Sequence, residues 1–166
     1  MINLKVDLMR NGKEEVKMFD IFLRRIMAFL LDMMILILIF FGNFMFMVTS
    51  LNLEIGNSMN LVEMIMMLAL QLFYVIIYFI YIPIKWPGQT IGKKLLKIKE
   101  VTQDGKELTI KQYFQRDFLL KFLLSSMTSG FAVLFNLILL TYQLIRKQEL
   151  KALQDMIVKT KVVLTK

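Results

Sequence analysis

The chain has 166 residues, 57% of them hydrophobic, with a mean hydropathy of +0.61 and a formal net charge of +8. A soluble domain of this size carries about half apolar residues, so the composition points to a single-domain membrane protein. With no Cys and no His, a disulfide framework, a thiolate metal site, a thiol nucleophile and an imidazole proton shuttle are excluded, and no metal, cofactor or enzymatic activity is expected.

The placement of charge says more than its sum. All 21 basic residues lie within 1–25 or 85–166, and the block Ile26–Ile84 holds only the acids Asp32, Glu54 and Glu63. Basic residues that flank apolar runs mark the cytoplasmic side of a membrane protein. The expected partners are the lipid bilayer and its anionic headgroups on that side. No basic-aromatic module for nucleic acid is present.

Residues 1–19 alternate at Ile2, Leu4, Val6 and Leu8, a strand pattern, and Asn11-Gly12 is a turn signal. The segment reads as a cytoplasmic strand or a basic tail. The first transmembrane helix is expected over 20–48, with Asp20 as its N-cap and Ile26–Val48 long enough to cross a bilayer with tilt. Arg24-Arg25-Ile26-Met27-Ala28-Phe29-Leu30-Leu31-Asp32 opens that run. Arg25, Ala28 and Asp32 share one helix face, and Asp32 lies about 10 Å deeper than Arg25 at 1.5 Å of rise per residue. An ionisable group at that depth is expensive and marks either function or a buried pair, with Arg25 or Lys121 as the partner. Asn43 returns to the same face and completes a thin polar stripe.

The connection Thr49–Asn60 has no Lys or Arg and is expected outside. A second transmembrane helix is expected over 61–82, with Gln71, Tyr74, Tyr78 and Tyr81 on one face. The Met-rich runs (Met45, Met47, Met64, Met66, Met67) lack supporting His or Cys and read as packing or lipid-facing side chains rather than copper ligands. Pro83 and Pro87 end the helix. Gly88-Gln89-Thr90-Ile91-Gly92-Lys93-Lys94 has a superficial likeness to a phosphate loop. Its spacing is one residue short, and no Ser or Thr follows Lys93. It reads as a loop at the membrane surface, turned by its glycines, with lysines facing headgroups.

Residues 95–110 read as a cytoplasmic β-hairpin around Asp104-Gly105, and 156–165 as a further strand. Residues 111–145 admit two readings. A single third span would put the C-terminus outside, against the basic residues Arg146, Lys147, Lys151, Lys159 and Lys161. A helical hairpin, Lys111–Met127 then Phe131–Ile145, breaks at Ser125–Gly130 and enters and leaves on one side. Arg116, Asp117 and Lys121 ride on its first helix and Asn136 on its second. The fold class expected is therefore a membrane all-α core of three or four membrane segments, two transmembrane helices plus a C-terminal helical hairpin, with a small cytoplasmic β-hairpin or sheet.

Three blocks carry a family resemblance: Arg24-Arg25-x-x-Ala28-x-x-x-Asp32, then Gly88-x-Thr90-x-Gly92-Lys93, then Asp155-Met156-Ile157-Val158-Lys159-Thr160-Lys161-Val162-Val163. Their order and spacing resemble the RDD family of small bacterial multi-pass membrane proteins. Gln154 stands where a His is usual in that family, and Lys159 where a Gly is common. The resemblance implies a multi-pass protein of the cell membrane, Arg24, Arg25, Asp32 and Asp155 as signature residues, and a transport role proposed for some members, including sodium/proton exchange. On that reading Asp32 centres a polar cluster of Asn43, Gln71, Tyr74, Tyr78, Lys121 and Asn136 that carries a cation or proton. So few helices enclose little space, so a homo-oligomer is expected. The alternative is a non-enzymatic scaffold or assembly factor, whose cytoplasmic β-platform binds a partner. A wet path through the bundle favours transport, and a dry, paired Asp32 favours the scaffold.

Overall fold

Two long apolar helices carry the architecture of the computed structural model, which describes residues 2–50 and 60–165. Helix α1 spans Ile2–Ser50 and α2 spans Leu61–Lys85, and both are long and apolar enough to cross a membrane. Asn60 caps α2: its side chain accepts from the Glu63 amide at 2.9 Å, and the Glu63 carboxylate accepts from the Asn60 amide at 2.9 Å. This reciprocal pair satisfies two amides that the first turn leaves free. Pro83 has no amide to donate back along the helix, and α2 loosens into a π turn at Ile77–Tyr81 just before it. Most of the connection 49–60 expected outside lies beyond the described residues.

After α2 the chain forms a short helix α3 (Ile91–Leu95), strand β1 (Ile98–Thr102), helix α4 (Ile110–Met127, with a π-helical stretch at Phe114–Leu123), helix α5 (Phe131–Ile145), helix α6 (Leu153–Val158) and strand β2 (Thr160–Leu164). Helices α4 and α5 are bent from one another by 115° across Thr128–Gly130, where Ser129 and Gly130 take positive φ. The break falls where the interrupted hydropathy places it.

Three expectations are corrected. Residues 2–19 are helical and continue α1 without a break, in place of the strand or tail. Asp20 is not an N-cap but pairs with Arg24 at 2.8 Å one turn on. The physical reason is that lengthening a formed helix escapes the nucleation cost, whereas a lone hairpin at 2–19 is marginal. The hairpin at 95–110 is also not formed. Residues 103–106 do turn, with the Thr102 amide donating to the Lys106 carbonyl at 2.9 Å. The chain then enters α4, and β1 pairs antiparallel with the C-terminal β2, from Ile98↔Leu164 to Thr102↔Thr160. Thr109 and Gln112 form a capping box that starts α4 and takes the residues a second hairpin strand would need.

The core lies in three patches. Leu36, Val75, Tyr78 and Phe79 join α1 to α2, with Phe118 and Phe122 of α4 against them. Ala28, Ile98 and Val162 join α1 to the sheet. Phe22, Leu140, Leu150 and Ala152 join α1 to α5 and the segment before α6. Outward faces remain apolar: Leu30, Ile37, Leu38 and Phe41 on α1, Leu61, Val62 and Ile65 on α2, Phe131, Phe135 and Ile138 on α5. Helices apolar on the outside as well as the inside are those of a membrane-embedded protein.

Candidate functional site

Asp32 sits, fully buried, where α1, α2 and the loop before α3 meet. Its Oδ1 accepts from the Tyr78 hydroxyl at 2.6 Å and the Gly92 amide at 2.9 Å, and its Oδ2 accepts from the Thr90 hydroxyl at 2.7 Å. The Lys121 ammonium stands 3.8 Å from Oδ2. Three donors on one carboxylate fill most of its acceptor sites. The glycines are what let the loop come this close. A Cβ at residue 92 would lie 2.5 Å from the Ala28 carbonyl oxygen and 2.6 Å from Asp32 Oδ1. At residue 88, with φ +75°, it would overlap the Glu100 backbone. Gly88 in turn donates to the Tyr113 hydroxyl at 2.8 Å and accepts from the Glu100 amide at 2.8 Å. The Gly88–Gly92 loop therefore fastens α1, β1 and α4 to one another.

A second ionic group lies beside it. Asp155, fully buried, pairs with Arg25 and accepts from Arg116 Nη2 at 2.6 Å and from the Ala152 amide at 3.1 Å. Arg25 also donates to the Leu150 carbonyl at 2.8 Å, and Arg116 to Thr160 Oγ1 at 3.1 Å. Arg116 pairs with Glu100 as well, and so does Lys93. Lys93 lies 3.7 Å and Arg116 3.4 Å from Asp117 Oδ1. Four carboxylates (Asp32, Glu100, Asp117, Asp155) thus face four cations (Arg25, Lys93, Arg116, Lys121), and the set is neutral. Buried charges are tolerable only when paired in this way.

The pairing is visible in the titration of the groups near the sheet. Burial pushes the Glu100 carboxyl up, but Arg116 and Lys93 outweigh it and bring it down to about 2. Burial likewise opposes the charged form of Asp155, and Arg25 and Arg116 overcome it and hold its pKa below the usual carboxylate range. Lys93 loses to burial but gains more from Asp117 and Glu100, so its pKa lies above the ordinary lysine value.

The cluster forms part of the wall of a cavity of about 280 Å³ between α1 and the bent α4–α5 pair. Arg25, Lys93, Glu100, Arg116, Asp117 and Lys121 line its charged side. Phe29, Leu30, Val133 and Leu137 line its apolar side. Glu100 is 2% exposed, and its Oε2 has no hydrogen-bond partner among the described residues.

The residues singled out in the sequence divide among these places. Arg25, Asp32, Asp155, Tyr78, Thr90, Gly92, Lys93 and Lys121 come together, though Arg25 reaches Asp155 rather than Asp32. Gly88, Thr90, Gly92 and Lys93 are buried within the protein, and Lys93 pairs with Glu100. Lys94 is the exposed lysine there, 3.5 Å over the Trp86 ring. Arg24 stays apart, bound to Asp20 and to the Leu96 carbonyl at 2.8 Å. Asn136 lines the cavity and holds the Leu153 amide at 2.7 Å. Gln71 and Tyr74 are half-buried and do not join the cluster, and Asn43 is buried about 16 Å further along α1. Glu100 was not anticipated, whereas Thr160 stands in the closing block that resembles the family's. For Glu100 the signal was present: it shares with Ile98 the inward phase of a strand alternation.

No curated protein and no solved structure matches the chain. The RDD family model matches residues 21–159, a stretch that runs from the Arg24–Asp32 block through the Gly88–Lys93 loop to Asp155. With that match over most of its length, and with two helices able to span a membrane, the chain belongs to the RDD family of membrane proteins.

Proposed function

We propose that the protein exchanges a cation for a proton across the cell membrane, and that the group doing so is the charged wall of the cavity rather than Asp32. The observation that carries this reading is the orphan Oε2 of Glu100. A buried carboxylate oxygen without a donor is costly, and a cation arriving from the cavity relieves that cost. Glu100, held low by Arg116 and Lys93, takes the cation and not the proton. Lys121, which lines the same cavity with no hydrogen bond among the described residues, is the charge partner that moves when the occupant changes. Asp32, dry and held by three donors, is the fastening point of the Gly88–Gly92 loop, and Arg25 and Asp155 fasten the tail.

The topology proposed is two crossings, α1 and α2, with α4 and α5 as a re-entrant pair. Strand pairing supports it, because β1 and β2 flank α4 and α5 in sequence and lie side by side in one sheet. The basic residues around them support a cytoplasmic sheet and cytoplasmic termini. The bilayer and its anionic headgroups are the lipid partners, nucleic acid is not one, and no enzymatic step is assigned. Two spans enclose no through-path, so a homo-oligomer supplies the rest of the route.

The second reading is a membrane scaffold, favoured by the dryness of Asp32 and the exact balance of the cluster's charges. Purified protein in proteoliposomes separates the two. Under a sodium, potassium or lithium gradient with a pH dye inside, wild type is expected to move protons in a cation-dependent way, and Glu100→Gln to lose that movement. No flux in folded, oriented wild type overturns exchange in favour of the scaffold.

A further inference from the structure

The cavity has a composition that an inorganic cation alone does not explain. Its lining is part ionic and part apolar, and two of the apolar lining residues, Leu30 and Leu137, are 53% and 42% exposed on helix faces that are otherwise apolar. These exposed edges of α1 and α5 are where a ligand from the bilayer would enter. A ligand entering there brings an apolar tail past Leu30, Phe29, Val133 and Leu137 and a polar head to the charged wall.

The wall specifies that head. Arg25, Lys93, Arg116 and Lys121 line the cavity with Glu100 and Asp117, while Asp32 and Asp155 stand behind them and pair with Lys121, Arg25 and Arg116. By formal charge the whole set sums to zero, so a net anion or a net cation leaves an unbalanced charge in a low-dielectric site. A zwitterion does not. Its positive end belongs at Glu100 Oε2, the carboxylate oxygen that lacks a donor. Its negative end belongs at Lys121, whose nearest carboxylate oxygen is 3.8 Å away and whose side chain is 13% exposed. The positive end must carry N–H groups, because an acceptor left without a donor is relieved by a hydrogen bond and not by a methylated cation.

We propose that the cavity is a binding site for an aminophospholipid from the surrounding bilayer, its primary ammonium on Glu100 and its phosphodiester on Lys121. The inference rests on the reading of Glu100 as a cation-accepting group and gives that group a resident occupant, which an exchanged ion has to displace.

The test is lipid retention, measured without flux. Purified, delipidated wild type is mixed with phosphatidylethanolamine, phosphatidylcholine or phosphatidylglycerol of identical acyl chains, and bound lipid is counted by native mass spectrometry. Phosphatidylethanolamine is expected to be retained about tenfold or more over both others, the scale of one charge-assisted hydrogen bond. Glu100→Gln is expected to erase that preference. Because Glu100→Gln also strips Arg116 and Lys93 of a partner, Leu137→Trp is the companion variant. It narrows the opening without touching a charge, and is expected to lower phosphatidylethanolamine retention about tenfold with thermal unfolding unchanged. Equal retention of the three lipids, a preference for phosphatidylglycerol, or no retained lipid, leaving Oε2 to water, each overturns the proposal. Retention with no ion flux overturns exchange and leaves the lipid site standing. Flux without retention does the reverse.

Discussion

Replacing Asp32 by Asn tests the fastening role most directly. The carboxylate accepts three hydrogen bonds, at 2.6, 2.7 and 2.9 Å, from Tyr78, Thr90 and Gly92. Asparagine keeps one carbonyl oxygen for Tyr78 and Gly92 and turns an NH2 group toward the Thr90 hydroxyl, which then loses its acceptor. The two remaining bonds change from charged to neutral and lose about half their strength. Lys121 loses its nearest carboxylate in a buried setting. One lost and two weakened bonds to a charged group, with a cation left poorly paired, come to about 3–5 kcal/mol. For a chain of this length that is a fall of about 10 °C in Tm, measured by thermal unfolding in detergent. Thr90→Val removes one of the same bonds, so the double variant is expected to lose less than the sum of the two single losses. An unchanged Tm, or strict additivity with Thr90→Val, refutes the claim that Asp32 holds the loop.

Gly92→Ala is expected to prevent stable accumulation or to lower Tm by more than Asp32→Asn, because the added Cβ meets the Ala28 backbone oxygen at 2.5 Å. Ala28→Gly is expected to give no rescue, since the obstructing atom is backbone, and rescue in unfolding assays contradicts the packing. For pH, Glu100 is lowered from 4.5 to about 2, so its pairing contributes stability that is complete above the unfolded value. That contribution disappears as pH falls through the folded value. Tm is expected to drop between about pH 4.5 and 2, less steeply in Glu100→Gln, and a flat acid limb in wild type speaks against the ion pairs. Lys93, raised above 10.5, adds stability that is present below that pH and lost only as pH rises beyond it. Finally, a reporter active only in the periplasm is expected to be silent both when inserted at Gly105 and when joined after Lys166, and activity at one position alone contradicts the re-entrant pair.

Much of this protein could be read along the chain because membranes impose local rules. A run without Lys or Arg from Ile26 to Ile84 has to span lipid, and caps, prolines and glycines bound the helices through contacts a few residues apart. The break between α4 and α5 was legible in Ser125–Gly130 for the same reason. The N-terminal segment was misread because alternation at Ile2, Leu4, Val6 and Leu8 is a strand signal only where a partner strand exists, and the continuing helix α1 won instead. The hairpin around Gly105 was misread for a similar reason. Its turn forms, but the second strand of the sheet comes from Thr160–Leu164, nearly sixty residues on.

The same division runs through the site. Asp155 was marked only by the family resemblance of the closing block, whereas residue type and burial cost single out Asp32, with Arg25 at the mouth of the same run, since an ionisable group in an apolar run needs a partner wherever it lies. Which partner it meets depends on how the elements dock. Arg25 bypasses Asp32 on its own helix for Asp155, 130 residues away, and Asp32 takes its donors from α2 and the Gly88–Gly92 loop. Lys93 turns inward, and Glu100 joins through the face of a strand. Helix periodicity fixes which side chains share a face, but pairing among distant faces is settled only when close backbone approach at Gly88 and Gly92 brings four segments together and leaves one oxygen of Glu100, a residue of the cavity wall, without a donor among the described residues.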